Sequence, residues 1–277
     1  MSEPDLRVTL VQPDTRWHDP AANRAQVERM LGAAGAAAAT DVGNDPQLIV
    51  LPETFTTGFS NDAVSRAETM EGETVAWMRD LARARDAAVT ASVQIRDGEA
   101  VFNRLLFATP DGAVRHYDKR HLFRMAREQQ WYAAGRGRLI VEFHGWRICP
   151  MVCYDLRFPV FARNRPDPTR GDELEYDLLL YVANWPAARH EAWRTLLRAR
   201  AMENLCYVVG VNRTGTDGNG HPYQGGSIAA DPVGQTLVEC DATAQTAKAV
   251  LSLERLREHR RRFPAHLDAD GFFLDDR

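Results

Sequence analysis

Three apolar runs in the chain end in side chains able to make or break bonds. Leu48-Ile49-Val50-Leu51-Pro52-Glu53 delivers a carboxylate, Met151-Val152-Cys153-Tyr154-Asp155 a thiol, and Leu180-Tyr181-Val182-Ala183-Asn184-Trp185 an amide beside an indole. Such groups converge in α/β proteins, whose sites gather beyond the carboxyl ends of strands. Taken singly, each has a plainer role: Glu53 bonding a loop, Cys153 as a small buried hydrophobe, Asn184 capping a turn. The setting of Cys153 weighs against the plain role. In Cys-Tyr-Asp-Leu-Arg-Phe-Pro the thiol stands where a buried strand must turn into a short helix over 159–164, beside the backbone N–H groups that a helix start leaves unpaired. Cys149, in the same strand and before Pro150, reads as packing, and Cys206 and Cys240 lie in apolar strand contexts without an adjacent turn or partner.

A nucleophilic thiol needs a base. None of the 8 histidines stands in a papain-like or caspase-like setting, and Cys153, flanked by Val152 and Tyr154, lacks the Gly-x-Cys-x-Gly elbow of Cys-His-Glu glutaminases. Carboxylate and lysine partners therefore come into consideration. Tyr117-Asp118-Lys119-Arg120-His121-Leu122-Phe123 follows a strand-like stretch over 113–117 and sets Lys119 just past its end; alone, the segment reads as a solvated basic loop.

These groups must be held by a scaffold, and the chain supplies the elements of one. Buried or half-buried strands are expected over 6–11, 48–51, 89–95, 105–109, 139–143, 148–153, 178–183, 207–211 and 247–253, with helices over 21–39, 73–87, 190–204 and 253–262. Asp19 and Pro20 suit the N-cap and first position of the first helix. Strands alternating with helices, without a repeat, predict one layered α/β domain. The polar stretch 165–175 reads as a surface insertion, and alanine-rich 33–40 as a helix end. Apolar residues make up 44% of the 277, which argues against disorder, and a net charge of −4 argues against a nucleic-acid partner. The run over 6–11 is too short for a signal peptide, and no run approaches the roughly 18 apolar residues of a membrane helix. Four cysteines without metal-type spacing point to a reducing cytoplasm, no disulfide scaffold and no metal. The glycines at 218, 220, 225 and 226 mark turns, since neither a P-loop lysine nor a dinucleotide fingerprint accompanies them; no cofactor is expected. Arg255 to Arg262 alternates with Glu254 and Glu258 and reads as a solvated helix face.

Leu-Pro-Glu-Thr-Phe at Glu53, Tyr-Asp-Lys-Arg-His-Leu-Phe at Lys119 and Cys-Tyr-Asp-Leu-Arg-Phe-Pro at Cys153 together resemble the carbon-nitrogen hydrolase, or nitrilase-like, superfamily in order and spacing. The resemblance extends from the strand before Gln12 through Val-Ala-Asn-Trp-Pro, Arg198-Ala199-Arg200-Ala201-Met202-Glu203-Asn204 and Asp231-Pro232-Val233-Gly234, and it is strongest toward the bacterial omega-amidase branch. It implies a four-layer α-β-β-α sandwich over 1–277, assembled as a homodimer or higher homo-oligomer, with 263–277 a candidate docking segment that could equally pack on its own domain. It also implies hydrolysis of the side-chain amide of 2-oxo acids such as 2-oxoglutaramate. Cys153 would be the nucleophile and Glu53 the general base and acid. Lys119, whose ordinary pKa of about 10.4 is favoured further by neighbouring carboxylates, would stabilise the oxyanion with the backbone N–H of Tyr154. The family's second glutamate, seven residues before a glycine, falls on Glu128 before Gly135; a surface glutamate is the alternative. Arg157 is a candidate for binding the substrate carboxylate through its planar fork, or else a structural salt bridge. Asn184 and Trp185 would shape the pocket, with Phe55, Phe59 and Phe123 as apolar walls. The competing readings are a nitrilase, an N-carbamoyl amidohydrolase, another aliphatic amidase, or a non-catalytic binding protein; the last would be marked by loss of Glu53, Lys119 or Cys153, and all three are present.

Overall fold

The computed structural model describes residues 4–37, 45–167, 169–171 and 173–274. Its strands are β1 (Leu6–Gln12), β2 (Gln47–Val50), β3 (Ala87–Asp97), β4 (Ala100–Ala108), β5 (Val114–Asp118), β6 (Val141–Phe143), β7 (Trp146–Val152), β8 (Leu178–Val182), β9 (Tyr207–Val211), β10 (Thr214–Thr216), β11 (Pro222–Gln224), β12 (Ile228–Ala230), β13 (Thr236–Glu239) and β14 (Gln245–Leu251). The helices are α1 (Pro20–Ala37), α2 (Glu73–Arg85), α3 (Pro159–Ala162), α4 (His190–Asn204) and α5 (Leu253–Arg262). One six-stranded sheet runs β14-β1-β2-β3-β4-β5, a second β13-β12-β9-β8-β7-β6, and β10-β11 form a separate hairpin.

Period-2 alternation explains the layering. In the first sheet Leu6, Val8, Leu10, Leu48, Val50, Leu105 and Phe107 face the second sheet. Their neighbours Val11, Ile49, Val89, Ala91 and Leu106 pack instead under Val27 and Leu31 of α1 and Val75, Met78 and Ala82 of α2. With both faces covered, these strands read as nearly continuous apolar runs. On the outer face of the second sheet, α4 lays down Trp193, Leu197 and Ala201. It approaches β9 so closely that a Cβ on Gly210 would stand 2.5 Å from Leu197. The result is the four-layer α-β-β-α sandwich.

Asp19 caps α1 as expected, accepting the Ala22 N–H at 3.0 Å; the positions 38–39 expected to extend this helix, and 40 of the alanine-rich stretch, lie outside the described residues, as do 168 and 172 of the polar insertion and 275–277 of the C-terminal segment. The insertion bridges α3 and β8 and is held by Arg165 and Arg138 on Glu175. Strands β10 to β13 are the elements without a sequence expectation. Each has only three or four residues, too few for a repeating pattern, and they form through pairing with β9 and with one another. No helix among the described residues is long and apolar enough to cross a membrane.

Candidate active site

Glu53, Lys119, Cys153 and Asn184 each lie just beyond the carboxyl end of a strand: β2, β5, β7 and β8 respectively. The thiol sits on a sharp turn. Cys153 has φ +46°, a left-handed conformation uncommon for a residue with a Cβ, at the junction between β7 and a 3₁₀ segment over Cys153–Arg157. Tyr154 follows within the first turn of that segment, where backbone donors have no helical partner. Thr54, directly after Glu53, also has a positive φ of +40°. Its N–H is held by Ser92 Oγ at 2.9 Å.

At the centre lies a buried ion cluster. Lys119 Nζ donates to Glu53 Oε1 at 2.9 Å and to both oxygens of Glu128 at 3.0 Å. Asn103 Nδ2 bridges the same carboxylates, 2.8 Å from Glu53 and 3.4 Å from Glu128. Glu53 Oε2 accepts the backbone N–H of Asn184 at 2.8 Å, and Glu128 Oε2 accepts that of Phe123 at 2.6 Å. Two carboxylates cannot approach so closely without a cation between them, so Lys119 sets their spacing.

The seven-residue step from Glu128 to Gly135 has a structural cause. Gly135 N–H bonds the carbonyl of Lys119 at 2.9 Å, and a Cβ there would stand 2.0 Å from the carbonyl oxygen of Asp118. Only glycine lets the segment return flush against the end of β5, which brings Glu128 back over Lys119.

A third buried carboxylate ties the two halves of the site together. Asp155 accepts from Tyr117 Oη at 2.8 Å, from the backbone N–H groups of Val152 and His121 at 3.0 Å each, and lies 2.7 Å from His121 Nδ1. It thereby links the turn of Cys153 to the loop of Lys119.

The charges act on one another's proton affinities. Burial alone would lower the pKa of Lys119, but Glu128 and Glu53 outweigh it and hold the ammonium protonated well above its ordinary range. Burial raises Glu128, against the pull of Lys119. Burial and then the Glu53 charge push the Cys153 thiol well above its ordinary value, despite Lys119. Cys153 thus rests as a neutral thiol with the Glu53 carboxylate beside it. Cys149 is buried and its thiol is pushed up to about 12 by desolvation, in keeping with packing.

Glu53, Lys119, Cys153 and Tyr154 border one cavity of about 520 Å³. Phe59 lies along it with its ring 5.2 Å from Lys119 Nζ, and Phe123 lines it too, edge-on to Tyr154. Phe55 does not: it is 1% exposed and packs against Trp77 in the core beneath α1 and α2, because its side chain leaves the strand end on the helix-covered side. Asn184 borders the cavity, but its Nδ2 is engaged by the Glu53 carbonyl at 2.6 Å and Thr54 Oγ1 at 3.0 Å, so it orients the Glu53 loop. Trp185 is buried, and Arg157 stacks 5.1 Å above its ring with no ion-pair partner among the described residues. Sequence reasoning passed over Asn103, Asp155 and Arg189. Asn103 is a polar residue inside an apolar strand, which is a usable signal, whereas nothing local marks Arg189, whose guanidinium lies 5.2 Å above Phe123 in the same cavity.

A strand-end thiol beside a carboxylate–lysine cluster on an α-β-β-α sandwich is an arrangement suited to the hydrolysis of carbon–nitrogen bonds. The chain matches the carbon-nitrogen hydrolase family over residues 7–261 and belongs to it. Omega-amidase YafV of Yersinia enterocolitica is 46% identical over 97% of this chain and 98% of its own length. The 2-oxoglutaramate amidase of Bacillus subtilis is 30% identical over 80% of this chain and 84% of its own. The crystal structure of XC1258 from Xanthomonas campestris, a CN-hydrolase superfamily protein with an arsenic adduct in its active site, has a TM-score of 0.90 and 56% identity, covering 98% of this chain and 99% of that one.

Proposed function

We propose that the protein is an omega-amidase that cleaves the ω-amide of small 2-oxo dicarboxylic acid monoamides, 2-oxoglutaramate and 2-oxosuccinamate, to the 2-oxo acid and ammonia. The observation that carries this reading is the meeting, in one cavity, of a thiol, a carboxylate–lysine pair and a guanidinium with no ion-pair partner among the described residues. The names of the Yersinia and Bacillus relatives support it.

In the first half-reaction Glu53 takes the thiol proton as the sulfur of Cys153 adds to the amide carbon. The carbonyl electron pair moves onto oxygen, where the Lys119 ammonium and the Tyr154 N–H receive it. Collapse of this intermediate breaks the C–N bond, Glu53 returns its proton to nitrogen, and ammonia leaves a thioester. In the second half, water gives a proton to Glu53 and adds to the thioester. Expulsion of the sulfur, which recovers the proton, releases the acid. One water is consumed for each ammonia formed. Glu53 can serve both halves because each carboxylate oxygen accepts more than one hydrogen bond, and the Asn184 N–H occupies only part of Oε2. Glu128 keeps Lys119 between the two carboxylates, and Arg157 binds the substrate carboxylate.

Ammonia release from 2-oxoglutaramate, simple nitriles and N-carbamoyl amino acids, measured side by side, tests the assignment. 2-Oxoglutaramate should have the highest kcat/KM; a nitrile or carbamoyl preference would replace the reading with another activity of the same family. Free thiols suit the reducing cytoplasm. A contact between copies through the C-terminal segment is part of the proposal, and the exposure of Phe263, Leu267 and Phe273 supports it. Light scattering should find a dimer that Phe273→Ser weakens, and a wild-type monomer would remove that assignment.

A further inference from the structure

The outer cavity has an uneven charge balance. Two carboxylates border it, and both are committed to protein donors. Glu53 is held by Lys119, Asn103 and the Asn184 N–H. Asp217 Oδ1 accepts the N–H groups of Asn219 and His221 at 2.9 Å each, and its Oδ2 accepts Tyr223 Oη at 2.9 Å. The two guanidinium groups on the same cavity, Arg157 and Arg189, have no ion-pair partner among the described residues. Each rests on an aromatic ring, Arg157 on Trp185 and Arg189 on Phe123. A ring face orients a guanidinium without neutralising it or occupying its N–H groups. Arg189 is further fixed by its backbone, whose carbonyl accepts Trp185 Nε1 at 2.8 Å. The two arginines are thus anchored through the same tryptophan.

A single arginine suffices for one carboxylate. A second unpaired one on the same cavity calls for a ligand with more acceptors at that end. A 2-oxo acid has them: the keto oxygen lies beside the carboxylate, nearly in its plane, and extends the row of acceptors by one. An α-amino acid of the same length carries an ammonium at that carbon, a cation with no acceptor, and would meet two positive charges with both neighbouring carboxylates already engaged.

Resting on the omega-amidase reading, we propose that Arg189 is the residue that selects the 2-oxo group, working beside Arg157, so that ω-amides of 2-oxo acids are taken and those of α-amino acids refused. The test compares kcat/KM for 2-oxoglutaramate, for glutaramate, which keeps the carboxylate but lacks the oxo group, and for L-glutamine, in wild type, Arg189→Met, Arg189→Lys and Arg189→Glu. Since a hydrogen bond to a charged group is worth about a tenfold change or more, Arg189→Met should cut kcat/KM for 2-oxoglutaramate at least about tenfold, mainly through KM. Glutaramate should lose less, and glutamine should hold or gain. Arg189→Lys, which keeps the charge and the stem over Phe123, should recover part of the selectivity, and Arg189→Glu should narrow the gap to glutamine furthest. Equal losses on all three substrates, or none, would overturn the assignment of Arg189 while leaving the omega-amidase reading in place. A wild-type enzyme that prefers glutamine to 2-oxoglutaramate would overturn both.

Discussion

The inner and outer parts of the cavity follow opposite rules. Inside, Glu53 and Lys119 are each 1% exposed and Glu128 is 0% exposed, with every charge paired within 3.0 Å. Outside, Arg157 is exposed and Arg189 half-buried, and both lie on rings without an ion-pair partner among the described residues. Where bonds are to be made, charges are satisfied by one another before any ligand arrives, because a buried ion tolerates neither vacancy nor movement. Where a ligand is to be chosen, charge is left for the ligand to meet. Loss of an inner charge should therefore damage both the rate and the fold, and loss of an outer one should alter selectivity alone.

The largest effect should come from Cys153→Ala, which removes the proposed nucleophile: turnover should vanish with the melting temperature nearly unchanged. Mass spectrometry on wild type mixed with substrate should find an acyl adduct on Cys153 and none on Cys149, Cys206 or Cys240. An adduct elsewhere would move the chemistry away from the ion cluster. Lys119→Met comes next. Loss of one oxyanion donor lowers kcat by about 10²- to 10³-fold. It also leaves two buried glutamates without their cation, a loss of about 3–5 kcal/mol in stability. Glu128→Gln keeps the shape and the acceptor for the Phe123 N–H, so its stability loss should be smaller than that of Lys119→Met while kcat still falls. A silent Glu128→Gln would reduce that residue to packing.

The pH dependence of alkylation sharpens the same contrast. Burial and the Glu53 charge both favour the neutral thiol of Cys153, so reaction with iodoacetamide should be slow at neutral pH and rise only above the ordinary thiol range. Glu53→Gln deletes a negative charge that raises this pKa, so the rise should shift to lower pH even as turnover is lost. A shift upward would mean that Glu53 does not face the thiol as an anion. The smallest effect on stability belongs to Arg157→Met: KM for 2-oxoglutaramate should rise roughly tenfold or more, a neutral short-chain amide should change much less, and the melting temperature should stay put. A fall in melting temperature would return Arg157 to a structural role.

Much of the scaffold was readable because its signals are local. α4 and α5 fall on the expected residues, since their apolar positions recur at helical spacing between polar turns, and β9 coincides with its apolar run. Strands β10 to β13 were not readable, since three or four residues carry no period. The site divides in the same way. Glu53, Lys119 and Cys153 stand at the ends of recognisable runs, whereas Phe55 sits beside Glu53 in sequence and yet turns toward the helices.

The family resemblance marked Glu128, seven residues ahead of Gly135. Sequence alone determined three groups available for chemistry: one thiol at a sharp strand-to-helix turn, one carboxylate after an apolar run and one lysine past a short strand. Local chain geometry is sufficient for that, because strand ends, turns and helix starts are properties of a few consecutive residues. The tertiary structure decided how these groups act on one another. Glu53 and Lys119 are 66 positions apart and meet at 2.9 Å; Asn184 reaches Glu53 across 131 positions. Arg189 and Phe123 become neighbours only once the two sheets have stacked. Electrostatic interactions and hydrogen bonds depend on distance in space, and that distance is set by which strands pair and which faces pack, a global property that no short window of residues contains.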